Sequence, residues 1–308
     1  MRNARQEAFE RLDGRYEVRV LEPSPPAVDE EPWFADDPTA RGEVPDGREL
    51  VSPVSTGDVL WDDLARDDAD LAAWCAERWL GAYRRLAAPP ASLPATRLAL
   101  HRLAEHVLSP ARQRANGKIA MRYVGGGFGT PFFGDDVQIR VEGADLVVDS
   151  PDGSRRAPIT SFGAATEHVG VALEVEDDPL EVDEAASRFL GDWYGFTASV
   201  LEQLRAEAVP ELDASRVQLW TEHFDLATEL GAEDAGARAG YGGSPGDELH
   251  PEPYLYVVPW EASRAQGEGW DDGAFAGAEL PYADLLAAPD QRAAALEFFR
   301  GRLNALTG

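Results

Sequence analysis

The sequence predicts an α+β fold, with a largely antiparallel sheet packed by about four helices behind an extended, Pro-rich N-terminal arm. Three observations predict it. Helical and strand-like spacings come in blocks rather than in alternation, which disfavours parallel βαβ units. The middle of the chain carries short alternating apolar stretches separated by turn chemistry. Residues 1–60 mix Pro23, Pro25, Pro26, Pro32, Pro38, Pro45 and Pro53 with acids and few aliphatics. We therefore divide the chain into a Pro-rich acidic arm over 1–60, extended or partly disordered, and one α+β domain over 61–308.

In order along the chain, Tyr16-Glu-Val-Arg-Val20 reads as a short strand within the arm, and Trp33-Phe34 as the aromatic anchor that docks it. Leu71, Cys75, Trp79, Tyr83 and Leu86 share one helix face, which Pro89-Pro90 terminates. A second helix, 95–113, carries the stripe Leu98, His101, Glu105 and Leu108 and an opposite stripe of Leu100, Leu103 and Val107. That pattern predicts a buried helix, with Arg102 and His106 turned toward solvent.

Strands are expected at Ile119–Val124, Val137–Val141, Leu146–Val148 and Val169–Val175, with turns at Glu142-Gly-Ala-Asp145 and Pro151-Asp-Gly153. The run Gly125-Gly-Gly-Phe-Gly-Thr-Pro-Phe-Phe-Gly134 is no P-loop, because it lacks the Gly-Lys-Ser/Thr ending that reaches phosphate and magnesium. It reads as a loop joining two strands, with its phenylalanines in the core. Phe189, Trp193, Phe196, Val200 and Leu204 form the stripe of a strong amphipathic helix ending before Pro210. A strand over 217–227, a Gly-rich polar loop through Gly246 and a strand over 252–260 follow. Asp290 then caps a last helix with Leu296, Phe299, Leu303 and Leu306 inward.

Composition excludes some partners. With 56 acidic and 28 basic residues the formal charge is −28, so neither nucleic acid nor an anionic membrane is an expected partner. Only Lys118 among the basic residues is a lysine, a composition that looks like GC-rich coding, so part of the acidity is expected to be mutational or halotolerant in origin rather than functional. No apolar run approaches the ~20 residues that span a bilayer. The N-terminus lacks a signal peptide's apolar core, and a single cysteine suits a reducing compartment, so a cytoplasmic protein is expected.

Five histidines lead the search for chemistry. His101 and Glu105 lie at i, i+4 on one helix face, where they can form an acid–base pair. In a single strand over 217–227, alternation would put His223 and Asp225 on one buried face, and a buried carboxylate needs a cation or a hydrogen-bond donor. The same alternation groups His250, Glu252 and Tyr254. If the protein is catalytic, the predicted set is His101 as general base or acid, Glu105 or Asp225 as its orienting carboxylate, and His223 or His250 as a second proton donor or ligand. Trp220, Tyr241, Tyr254, Tyr256 and Trp260 cluster around the Gly-rich loop and could line a groove. Trp220, Tyr241, His250, Glu252 and Tyr254 form the predicted ligand-binding set. The six His, Asp and Glu side chains could supply zinc, iron or manganese ligands, but no H-E-x-x-H, H-x-H or paired-cysteine spacing identifies a metal, and no cofactor is named.

Phe224-Asp-Leu-Ala227, Gly240-Tyr-Gly-Gly243, the Tyr-x-Tyr strand at Pro251–Tyr256 and Glu279-Leu-Pro-Tyr282 together resemble a bacterial domain family of unknown function. Leu100-His101, Gly127-Phe-Gly-Thr130 and Ser150-Pro-Asp-Gly153 fit the same order, so the resemblance spans 95–306. Glu222 and His223 depart from it, where small or aromatic residues would be expected. The resemblance implies a domain extent and no activity. Two functions follow as expectations: a polar pocket that binds or transforms a small polar molecule, or a non-enzymatic acidic protein whose arm engages a basic protein partner.

Overall fold

The computed structural model describes residues 42–43, 49–50, 69, 85–124, 126–131, 133, 137–172, 175–248, 250–267, 269–270 and 276–308. The expected strand at 16–20, the Trp33-Phe34 anchor and the helix through Cys75 and Tyr83 lie outside them. Within the expected arm, Gly42–Glu43 (β1) pairs antiparallel with Glu49–Leu50 (β2).

Among the described residues, two five-stranded antiparallel meanders form the rest of the sheet structure. The first runs Arg122–Val124 (β3), Gly127–Gly129 (β4), Gln138–Glu142 (β5), Asp145–Ser150 (β6) and Gly153–Pro158 (β7) in spatial order. The second is built from Gln218–Trp220 (β8), Asp225–Leu230 (β9), Ala239–Ser244 (β10), Tyr254–Pro259 (β11) and Ala278–Pro281 (β12), each beside its sequence neighbour. Met121 and Leu219 exchange backbone hydrogen bonds of 2.8 Å each, which couples the β3 edge of one sheet to the β8 edge of the other. The fold class is therefore α+β with antiparallel sheets, as the blockwise pattern predicts.

The helix Glu184–Glu207 (α4) packs against strands of both sheets and so spans their seam. Its predicted stripe is buried throughout, Trp193, Phe196 and Val200 completely. Asp183 caps it by accepting from the Ala186 amide. Gly191 lets α4 approach the β3–β4 turn, since a Cβ there would lie 2.0 Å from the Gly126 carbonyl oxygen. The helix Gln291–Thr307 (α6), capped by Asp290, follows Tyr282–Ala287 (α5) and packs against α4 with Leu296 and Phe299.

The second predicted helix is two α-helical pieces, Leu93–Leu103 (α1) and Ser109–Asn116 (α2), joined by a π turn at Ala104–Leu108. The cause is Pro110, which has no N–H and whose ring would press on the carbonyl one turn back; the wider turn, with Ser109 N bonded to Ala104 O, relieves it. Leu98 is 60% exposed rather than on the core side of its stripe.

Four expectations change. The run 125–134 is more than a connecting loop, because Gly127–Gly129 within it forms β4 between β3 and β5. Residues over 169–175 are no strand in the described part: Phe162–Val169 is a helix (α3), begun by Ser161 accepting from the Ala164 amide and ended at Gly170 with φ 84°. The single strand over 217–227 is a hairpin, because 221–224 turn and Phe224 takes φ 55°. The Gly-rich loop is a strand, β10, hydrogen-bonded on both sides to β9 and β11.

Candidate functional site

The β8–β9 hairpin is locked from beneath. Phe224 is 1% exposed, and its ring meets His101 (5.0 Å, interplanar 4°), Phe128 (5.0 Å) and Tyr194 (5.6 Å). A bulky residue in the left-handed region costs roughly 1–2 kcal/mol. This packing holds it there, with the Tyr194 hydroxyl donating to the Phe224 carbonyl at 2.7 Å. His101 Nε2 lies 2.7 Å from the Thr221 carbonyl oxygen, so that nitrogen carries a proton and donates to the same turn. Burial pushes the Tyr194 hydroxyl well above the usual range, and the Asp225 carboxylate adds to the effect.

Strand parity then sorts the second sheet into two faces. Leu226, Thr228, Tyr241, Gly243, Leu255 and Val257 face α4 and α6, where Tyr241 packs on Phe299 at 6.1 Å and Gly243 abuts Thr197. The opposite, outer face carries Trp220, Asp225, Gly242, Ser244, Tyr254, Tyr256 and Glu279. In register, Trp220 lies opposite Asp225, Ser244 opposite Tyr254, and Gly242 between Ala227 and Tyr256, with Glu279 beyond.

On this face the Tyr256 ring folds over Gly242, and its hydroxyl donates to Asp225 Oδ2 two strands away. Asp225 is 7% exposed, and its Oδ1 has no hydrogen-bond partner. Burial raises the Asp225 carboxyl above the ordinary aspartate range, against the opposing pull of the Tyr256 hydroxyl and of His223. Burial likewise pushes the Tyr256 hydroxyl well up, with Asp225 reinforcing it. Next to this pair, the Tyr254 hydroxyl donates to Asp247 Oδ2 at 3.0 Å and is pushed up to about 12, chiefly by burial. His250 stacks obliquely on Tyr254 at 4.8 Å, with Nδ1 3.3 Å from Asp247 and Nε2 3.7 Å from Glu279 Oε2. Arg97, on α1, fixes the loop behind them by donating to the carbonyls of Pro245, Pro251 and Asp247. Burial lowers the Arg97 pKa, with the Asp247 charge opposing.

Several predicted residues fall elsewhere. His101 serves the turn through Thr221 and Phe224 and forms no pair with Asp225; Glu105 is exposed and 4.0 Å from its ring. His223 is exposed in the turn, not buried in a strand beside Asp225, because the chain reverses at 221–224, although its charge reaches Asp225. Tyr241 is buried in the core on the opposite face, since it is out of step with Gly242. Glu252 is exposed ahead of the strand, which begins only at Tyr254, so it does not join His250 and Tyr254. Trp220, Asp225, His250 and Tyr254 do lie on or beside the outer face.

Sequence reasoning missed Asp247, Glu279, Ser244 and Arg97 as site groups. The two-residue spacing of Tyr254 and Tyr256 marks their shared face, whereas nothing local marks Arg97 or Glu279 as their neighbours. The face offers protonated tyrosine donors and carboxylate acceptors. Among the described residues no group of three or more His, Cys, Asp or Glu side chains could hold a metal ion, and no helix is long and apolar enough to cross a membrane. The chain matches no protein-family model, no curated protein and no solved structure.

Proposed function

We propose that the protein binds a small polar molecule on the outer face of its second sheet, at Asp225, Tyr256, Tyr254, His250 and Glu279. One observation carries this reading: a nine-tenths buried carboxylate with an unpartnered oxygen stands on the face turned away from the helical core. Leaving a charged acceptor buried and unmatched costs stability, so such a group is retained where it has another use. A core role would instead be met by an apolar side chain, as Leu226 and Leu255 meet it on the other face. The family resemblance implies no activity, so the chemistry of the site alone supports the assignment. The single cysteine in 308 residues supports a cytoplasmic protein.

The test is a thermal-shift titration of the full chain with cationic, neutral and anionic small molecules, run on the wild type and on Tyr256→Phe. A saturable rise in Tm that weakens in the variant supports the assignment. If no compound gives a saturable rise, or if the rise is the same in both proteins, the site lies elsewhere or does not exist.

A further inference from the structure

We propose that the ligand of this face is a small organic ammonium with several N–H donors, recognised by the unpartnered oxygen of Asp225, with Glu279 as a second carboxylate along the same face. This rests on the binding site just assigned and names the class of molecule it takes.

Asp225 uses Oδ2 for the Tyr256 hydroxyl and leaves Oδ1 without a donor. Glu279 sits directly across from Tyr256 on the neighbouring strand, and its Oε1 is likewise buried without a donor. The two acceptors stand on β9 and β12 with β10 and β11 between them, and the Tyr256 side chain starts beside Glu279 and reaches to Asp225. Among the described residues no arginine or lysine pairs with either carboxylate. Arg97, the guanidinium behind the site, is committed to three backbone carbonyls, and Asp247 adds further negative charge.

The chemistry selects between ligand classes. An anion would meet Asp225, Asp247 and Glu279 together and be repelled. A neutral sugar could donate hydrogen bonds but would leave the buried charge uncompensated. A quaternary ammonium has the charge and lacks the N–H groups. A primary ammonium supplies both, and its charge-assisted hydrogen bonds are about twice as strong as neutral ones. The Tyr254 and Tyr256 rings, 6.2 Å apart and tilted by 52°, add aromatic faces that attract a cation.

The experiment titrates the full chain with methylammonium and putrescine, and separately with tetramethylammonium, glucose and acetate, at matched ionic strength. Four proteins are compared: wild type, Asp225→Asn, Glu279→Gln, and Asp152→Asn, which lies in an exposed hairpin turn. Glu279→Gln lies on the edge strand and is partly exposed, so it keeps the test valid should Asp225→Asn fold poorly. The expected result is saturable stabilisation by the primary amines, with a half-saturating concentration about tenfold higher in the two site variants and unchanged in Asp152→Asn. Equal responses in all four proteins would mean counter-ion screening of a −28 chain and would overturn the proposal. A glucose response that is lost in Asp225→Asn, with none to the amines, would overturn the ligand class and leave the site standing. No saturable response to any probe would overturn both.

Discussion

Gly242→Ala tests the geometry of the site through a single methyl group. A Cβ on Gly242 would lie 2.4 Å from Tyr256 Cζ, 2.5 Å from its hydroxyl oxygen and 2.8 Å from Cε1. Ordinary carbon contacts need about 3.5–4.0 Å, so the ring has to retreat by about 1 Å. The ring is the far end of a side chain and can swing, which keeps the steric cost small. The swing draws the hydroxyl off Asp225, and stripping a donor from a buried acceptor costs about 1–3 kcal/mol. Against this stands the gain of about 0.4–1 kcal/mol from stiffening the unfolded chain, available because Gly242 does not require a positive φ. We expect a net loss of about 1–2 kcal/mol in urea unfolding. Tyr256→Phe removes the same hydrogen bond without the methyl and should cost a similar amount. In the double variant that bond is lost once, so the effects should be sub-additive by about 1 kcal/mol or more. Strict additivity, or stabilisation by Gly242→Ala in the wild-type background, would refute the link between Gly242, Tyr256 and Asp225.

Three further predictions concern the same framework. Because the Asp225 pKa is raised on folding, its protonated form favours the folded state, and that contribution is lost as pH rises through the raised value. Asp225→Asn removes this dependence, so its stability relative to wild type should rise as pH climbs from the ordinary aspartate range through the raised value; a relative stability that falls with pH would contradict the direction of the shift. Arg97→Met removes hydrogen bonds to three carbonyls, and Arg97→Lys cannot span them with one ammonium. Hydrogen exchange should quicken about tenfold at the Asp247 and His250 amides in both variants and hardly at all in α4. Glu202 and Arg205, whose side chains are 4% and 3% exposed, form a buried pair on α4 at 2.6 Å, and Glu202→Ala should cost about 3–5 kcal/mol. Breaking the Glu184–Arg188 pair, 63% and 60% exposed, by Glu184→Ala should cost below about 1 kcal/mol.

The parts of the fold that were legible in the sequence are those set by local pattern. The α4 stripe, the Asp290 cap of α6 and the turns at 142–145 and 150–153 need only neighbours within a few residues to be recognised. The β8–β9 reversal was missed because Thr221-Glu-His-Phe224 contains none of the usual turn residues; it depends on a left-handed phenylalanine held by His101, Phe128 and Tyr194. The helix α3 was missed because alternation further on suggested a strand, while the Ser161 cap and Gly170 stop were the stronger signals. β7 carries Ser154, Arg155 and Arg156 and has no apolar alternation to betray it. At the site, Asp225, His250 and Tyr254 were visible as residue types. Their partners were not, because the Asp225–Tyr256 bond joins residues 31 apart across an intervening strand, a register that no local spacing encodes.

The same long-range register explains why a Gly-rich segment lies at the centre of the second sheet. Gly240, Gly242 and Gly243 within β10 run against strand propensity, and glycine in a strand interior usually weakens it. At Gly242 the missing side chain leaves room for the Tyr256 ring on the outer face, and at Gly243 for Thr197 of α4 on the inner one. On the inner face the close approach serves packing alone. On the outer face it delivers a hydroxyl to one oxygen of a buried carboxylate and leaves the other open. A sheet built only for stability would fill both the gap and the carboxylate position with apolar side chains, as its inner face does at Leu226 and Leu255. Departures from local rules concentrate where a protein binds or reacts. Here the glycines of β10, the left-handed Phe224 and the half-satisfied Asp225 all fall within the strands and turn that frame one face. That coincidence supports the proposed binding role of the outer face more strongly than any one of its residues does alone.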